Sequence, residues 1–182
     1  MDPLELVELE KGIKMAAETD NLTVTKLLFP LCCDNSIIID EAFLRACTRN
    51  SIRVVEYFIN QGVIPSQRHF EDACCYSHNI ELVKLLINHP AIDPSYTRIF
   101  VQSKIRNYAV RSAYLGGNIE ILVFLLADPR VQKESLQDIE LQGHQQWAHI
   151  TPIMKEAIDN QKFGLDGDVY HQGLDVIENI QN

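Results

Sequence analysis

The chain has 182 residues, the size of one domain or of one domain with a short appendage. With 46% apolar and 23% charged residues, and only eight Gly and seven Pro, its composition is globular, which excludes bulk disorder and low-complexity repeats. The net charge of −9 argues against a nucleic-acid partner, and no apolar run approaches the roughly 18 residues of a membrane span.

The N-terminal residues Met1-Asp2-Pro3-Leu4-Glu5 hold no apolar signal core, so the reading is an intracellular, cytoplasmic protein. Asp2 can cap a helix with Pro3 at its first position. Residues 3–19 then read as one helix or as two short ones broken at Gly12, forming an N-terminal cap.

Four segments follow that repeat one block: Ala16 to Leu22, Ala46 to Ile52, Cys74 to Ile80 and Ala113 to Ile119. Their closing residues are 30, 28 and 39 positions apart. The fifth position is Asp20, Asn50, His78 or Gly117, residue types that tolerate a left-handed backbone. The sixth is Asn21, Ser51, Asn79 or Asn118, all good helix N-caps. Each block therefore predicts a helix, a tight left-handed turn, an N-cap and a second helix.

The second helices share an apolar pattern. It is Leu22, Val24, Leu27 and Leu28 in the first, then Ile52, Val54, Val55, Tyr57 and Phe58. The third has Ile80, Leu82, Val83, Leu85 and Leu86, and the fourth Ile119, Ile121, Leu122, Phe124 and Leu125. Thr25 alone breaks the stripe. Pro30, Gly62, Pro90 and Pro129 are read as the stops. The first helices are expected to be shorter, with a face of small residues: Ala16 and Ala17, Ala46 and Cys47, Ala73 and Cys74, Ser112 and Ala113. One such pair cannot bury its own apolar face, so the pairs must stack.

These residues resemble the ankyrin repeat, in which an inner helix ends in Ala-Ala-x-x-Gly-His before a Leu-Glu-Ile-Val-Lys-Leu-Leu outer helix. The likeness covers about residues 12–131 and is closest at Asn79-Ile80-Glu81-Leu82-Val83-Lys84-Leu85-Leu86 and Gly117-Asn118-Ile119-Glu120-Ile121-Leu122. His89 to Ser95 is similar to the divergent repeats of large DNA viruses and amoebae, which places the protein in a host cytoplasm if its source is viral. The family's Thr-Pro-Leu-His helix start is missing, and the long last interval implies an elaborated finger between the third and fourth units.

Residues 132–182 are read as an acidic C-terminal cap or appendage. Residues 1–131 hold 13 Lys and Arg against 16 Asp and Glu, for −3, whereas residues 132–182 hold 3 against 9, for −6. Ser135 to Leu141 is amphipathic, residues 151–162 read as the inner helix of a decayed fifth repeat, and Leu174 to Ile180 as a last helical stretch.

Candidate chemistry is sparse. Cys32, Cys33, Cys47, Cys74 and Cys75 form no CxxC and read as reduced thiols packed as small hydrophobes. His144 and His149 flank Trp147, but two His five apart do not share a helix face, and Trp147 reads as a packing residue or a partner anchor. Asp166-Gly167-Asp168 lacks the ligand series of a calcium loop and reads as a turn. Between Thr97 and Asn118, Arg98, Lys104, Arg106 and Arg111 occur with no acid. That stretch is a solvated loop, a site for an acidic ligand, or a dock for the acidic C-terminal region.

The expectation is an all-α fold: a short ankyrin-like solenoid of about four helix-turn-helix repeats (residues 1–131) with helical caps. Its expected function is non-catalytic protein–protein recognition by a monomer, as adaptor, inhibitor or host-directed effector, with no metal, cofactor or membrane. The resemblance puts the contacts on a concave face. The inner-helix candidates are Glu18, Thr19, Thr48, Arg49, Tyr76, Ser77 and Leu115. The finger candidates are Ile64, Ser66, Gln67, Asp93, Ser95, Tyr96, Arg98 and Arg130, with Arg106 from the basic stretch. Tyr and Arg lead because they carry more interface energy than small polar residues. The alternatives are an assembly role through the C-terminal region and, below it, a thiol or acid–base hydrolase.

Overall fold

The computed structural model describes residues 3–99, 104–105 and 107–131. The fold is all-α: eight helices carry the described residues, and the only β pairing among them is two residues per strand. The chain divides into two compact units between Ile92 and Asp93. The readings for residues 132–182, including Trp147, His144, His149 and Asp166 to Asp168, lie outside the described residues.

The first unit holds six helices: α1 (Pro3–Glu18), α2 (Leu22–Cys32), α3 (Ser36–Thr48), α4 (Ile52–Asn60), α5 (Gln67–Tyr76) and α6 (Ile80–Ile87). They form three antiparallel pairs. Helix α3 packs between α1 and α5, and α4 packs against both α2 and α6. Small side chains allow the close approach: Ala17, Ala42, Ala46, Cys47, Ala73 and Cys74 are all completely buried. Phe29, Phe43 and Phe58 then join α2, α3 and α4, with ring centroids 5.7 Å (Phe29–Phe58) and 5.8 Å (Phe43–Phe58) apart. Such aromatic contacts stabilise beyond simple area burial.

Helix α1 is continuous. Gly12 does not break it but lets α2 come close, since a Cβ there would meet Leu28 Cδ1 at 3.1 Å. Gly62 ends α4 at φ 87° in a Schellman turn, with Val63 N–H donating to Phe58 O at 3.0 Å. Pro30 does not stop α2, which runs on to Cys32. Pro has a helical φ, and so near the helix end it removes only one N–H bond.

The first helices of these pairs are not the shorter ones. Helix α3 has 13 residues against 9 in α4, and α5 has 10 against 8 in α6. They begin earlier than the small-residue blocks because Asn35 and Ser66 cap them upstream. Asn35 accepts the Ile38 N–H, and Ser66 and His69 form a reciprocal capping box.

In the second unit a two-residue pairing of β1 (Arg98–Ile99) with β2 (Lys104–Ile105) precedes α7 (Tyr108–Leu115) and α8 (Ile119–Ala127). The strands are antiparallel, Arg98 opposite Ile105 and Ile99 opposite Lys104, and they occupy the extra length of the long interval. Tyr108 N–H closes this segment on Tyr96 O at 3.2 Å. Helix α7 packs on α8. No helix among the described residues is long and apolar enough to cross a membrane.

Candidate functional site

The repeated turn is the most regular feature of the chain. Asp20, Asn50, His78 and Gly117 all have left-handed φ, at 50°, 61°, 50° and 70°. In three of the four turns the next N–H reaches back five residues at 2.9 Å: Asn21 to Ala16 O, Ser51 to Ala46 O and Asn118 to Ala113 O. This is the Schellman bond that satisfies an orphan carbonyl at a helix end. The N–H of Leu22, Ile52 or Ile119 then closes an inverse γ-turn on the left-handed residue. The third turn differs. The Ser77 hydroxyl donates to Ala73 O at 2.7 Å and accepts the Asn79 N–H at 3.3 Å.

All four sixth-position residues stand at the N-cap, but only Asn21 and Asn79 cap with their own side chains, on Val24 and Glu81. At α4 the acceptor comes from the preceding pair. Asp20 Oδ1 accepts the Val54 N–H at 3.1 Å, while Oδ2 takes Arg53 Nε at 2.6 Å. Asn50 Oδ1 likewise accepts Asn79 Nδ2 at 2.6 Å. Glu18 adds an ion pair to Arg45 Nη1 at 2.7 Å. The first three turns are thereby fixed side by side, and this ladder aligns the C-terminal ends of α1, α3 and α5.

Those ends carry most of the inner-helix candidates. Thr19, Arg49 and Tyr76 are exposed, and Glu18 and Thr48 are half-buried. Tyr76 keeps 59% of its surface open, unusual for a residue of its size. Thr19 and Thr48 bond back to the Met15 and Arg45 carbonyls, which fixes their rotamers. Ser77 is a correction: it is buried, and its hydroxyl holds the third turn instead of facing solvent.

The finger candidates separate. Ser66 is the N-cap of α5 and Gln67 its first residue, so both belong to a helix start and not to a finger tip. Ile64 is 70% exposed and lines an open groove of about 560 Å³ together with Phe29, Ile39, Asp40, Val63 and Cys33. In the second unit, Asp93 forms an Asx turn with Ser95, accepting its N–H at 2.8 Å, and Tyr96 and Leu115 are exposed. Arg130 makes a two-point contact with Asp128 at 2.9 and 2.7 Å. Burial would push the Asp128 carboxyl up, but the Arg130 hydrogen bonds outweigh it and hold it below its usual value. Arg98 lies in β1 with its side chain outside the description, and Arg106 is outside the described residues.

The buried thiols are poorly suited to nucleophilic work. Burial raises Cys47 and Cys74 well above the normal thiol range and pushes Cys32 up to about 11. Cys33 is exposed. Among the described residues no three His, Cys, Asp or Glu side chains converge as metal ligands would.

His69, buried at 1% exposure, was not visible as a structural residue in the sequence. Its Nδ1 accepts the Ser66 N–H at 3.0 Å, so the neutral ring carries its proton on Nε2, 3.2 Å from Asp40 O. The ring lies 4.6 Å from Phe43. The signal for it was a hydroxyl residue with a hydrogen-bonding side chain three positions on, with His where Glu or Gln usually stands.

No family model, curated protein or solved structure matches this chain.

Proposed function

We propose that the chain is a non-catalytic protein-recognition module, an ankyrin-like stack of about four helix pairs that binds a protein partner on the face formed by its inner-helix ends. One observation carries this reading. The Asp20–Val54 and Asn50–Asn79 bonds tie three successive turns together, and the adjoining inner-helix ends carry the exposed Thr19, Arg49 and Tyr76. An exposed Tyr and Arg beside tied turns suit a protein interface, because a pre-ordered backbone loses less entropy on binding and these two residue types dominate hot spots. Inner helices packing on inner helices, and outer on outer, support the stack, as do the matching turn bonds.

The test is affinity capture from a cell extract with the intact chain and with an Arg49→Glu/Tyr76→Ala variant, with circular dichroism to establish that both are folded. A protein retained only by the intact chain supports the reading. Equal retention by both contradicts the assigned face.

A further inference from the structure

Helix α1 presents a second face that the recognition reading does not use. At 100° per residue, Leu4, Val7, Glu8, Lys11 and Met15 fall on one stripe, opposite the buried Ile13, Ala16 and Ala17. The stripe is open: Leu4 is 69% exposed, Val7 44% and Met15 63%, and the Glu8 and Lys11 side chains are 65% and 62% exposed. On α2, which packs against α1, Leu27 and Leu31 are exposed as well, at 69% and 59%. Neither α3 nor α4 covers these residues. An isolated exposed Leu is ordinary, but large apolar residues repeated along one helix mark an interface.

The charges on this stripe identify its occupant. On the stripe itself the ionised residues are Glu8 and Lys11, acid before base, while Lys14 pairs with Glu10 and Glu18 with Arg45. A helix of that pattern is complementary to itself when it is turned end for end. One antiparallel register places Leu4 opposite Met15 and Glu8 opposite Lys11, and the two-fold axis generates each pairing twice. Apolar ends then meet apolar ends, and the two Glu8–Lys11 pairs, now 2.8 Å contacts within each helix, close into a ring of four alternating charges at the axis. A parallel arrangement would instead set Glu8 on Glu8 and Lys11 on Lys11. The 16-residue helix is about 24 Å long, enough for the seam of a small two-fold interface.

We infer that α1 is a homodimerisation surface, on which a second copy of this chain docks antiparallel through Leu4, Val7, Met15 and the Glu8–Lys11 pair. This departs from the monomer expected from sequence.

Sedimentation of the full chain over about 1 to 500 µM, where a micromolar complex would be seen, tests it. The wild type should move from monomer toward dimer, and Met15→Glu should remain monomeric. Glu8→Lys and Lys11→Glu should each weaken self-association at least about tenfold, because each sets like charges across the axis. An equimolar mixture of those two reversed chains should recover the dimer, since each supplies the charges that the other needs. Their exposed positions leave the fold intact, which circular dichroism checks. A wild type that stays monomeric overturns the inference. So does a dimer indifferent to Met15→Glu and to both reversals, or reversals that the mixture does not rescue.

Discussion

The carboxylate of Asp20 caps α4, a helix of the next repeat, by accepting the N–H of Val54 at 3.1 Å. Ser51, the residue in the N-cap position of α4, makes no side-chain cap bond, and its buried Oγ has no hydrogen-bond partner among the described residues. Capping is thus transferred from within a repeat to between repeats, which couples helix formation in one pair to the placement of its neighbour.

This transfer reverses the usual mutational ranking. Asp20→Gly keeps the left-handed backbone and loses the acceptor, and should cost about 1 kcal/mol. Asp20→Ala adds the left-handed penalty for a total of about 2 kcal/mol. Asp20→Asn should be close to wild type. Ser51→Ala, ordinarily a damaging change at an N-cap, should fall within about 0.5 kcal/mol, because it removes a buried hydroxyl without a partner. Urea denaturation of the four variants measures the order. A Ser51→Ala loss equal to that of Asp20→Gly would refute the transfer.

The turn was legible because its constraint is local. A left-handed residue followed by an N-cap needs Asp, Asn or Gly and then Asn or Ser, and the chain shows this at positions 20, 50 and 117, with His78 the variant. The stripe of the outer helices was legible for the same reason. What escaped reading depends on contacts distant in sequence. Asp20 and Val54 are 34 residues apart, and their bond exists only when two pairs stack in register. The starts of α3 and α5 escaped because Asn35 and Ser66 lie upstream of the small-residue blocks that drew the boundary. Ser77 resembled a surface polar residue until the turn folded its hydroxyl inward.

His69 makes stability depend on pH. Burial lowers its pKa most and Arg68 lowers it further, while Asp40 and Glu41 act the other way without cancelling the burial. In the unfolded chain a His protonates near about pH 6.5. Between that value and the lower folded value the unfolded state binds more protons, so its contribution to stability is complete above about pH 6.5 and is lost as pH falls below it. Protonation of Nδ1 would also remove the acceptor for the Ser66 N–H. Urea midpoints measured at about pH 7.5 and pH 5 should therefore fall more in the wild type than in His69→Gln. An equal fall in both would show that His69 is not the titrating group.

The five cysteines should label in the order that burial dictates. Cys33 is exposed and should react first with a thiol reagent in the native protein, whereas Cys47 and Cys74, completely buried, should react only on unfolding. Mass spectrometry after brief alkylation reads this directly. Rapid native labelling at Cys47 or Cys74 would contradict the close packing of α3 against α5.

The Asn50–Asn79 bond predicts that the second and third turns exchange hydrogen together. Asn50→Gly keeps the left-handed geometry and removes only this link, so faster amide exchange should appear in residues 76–80 as well as 48–52. Acceleration confined to residues 48–52 would mean that the turns open independently.

The central claim is that the aligned inner-helix ends form one binding surface. Hydrogen exchange of the intact chain, free and bound to the partner it captures, tests it most directly. The account predicts slowed exchange on binding in three peptides at once, spanning residues 16–21, 46–51 and 73–79, with the outer helices α2, α4 and α6 unchanged. Protection on the outer helices, with those three turns unaffected, would contradict it.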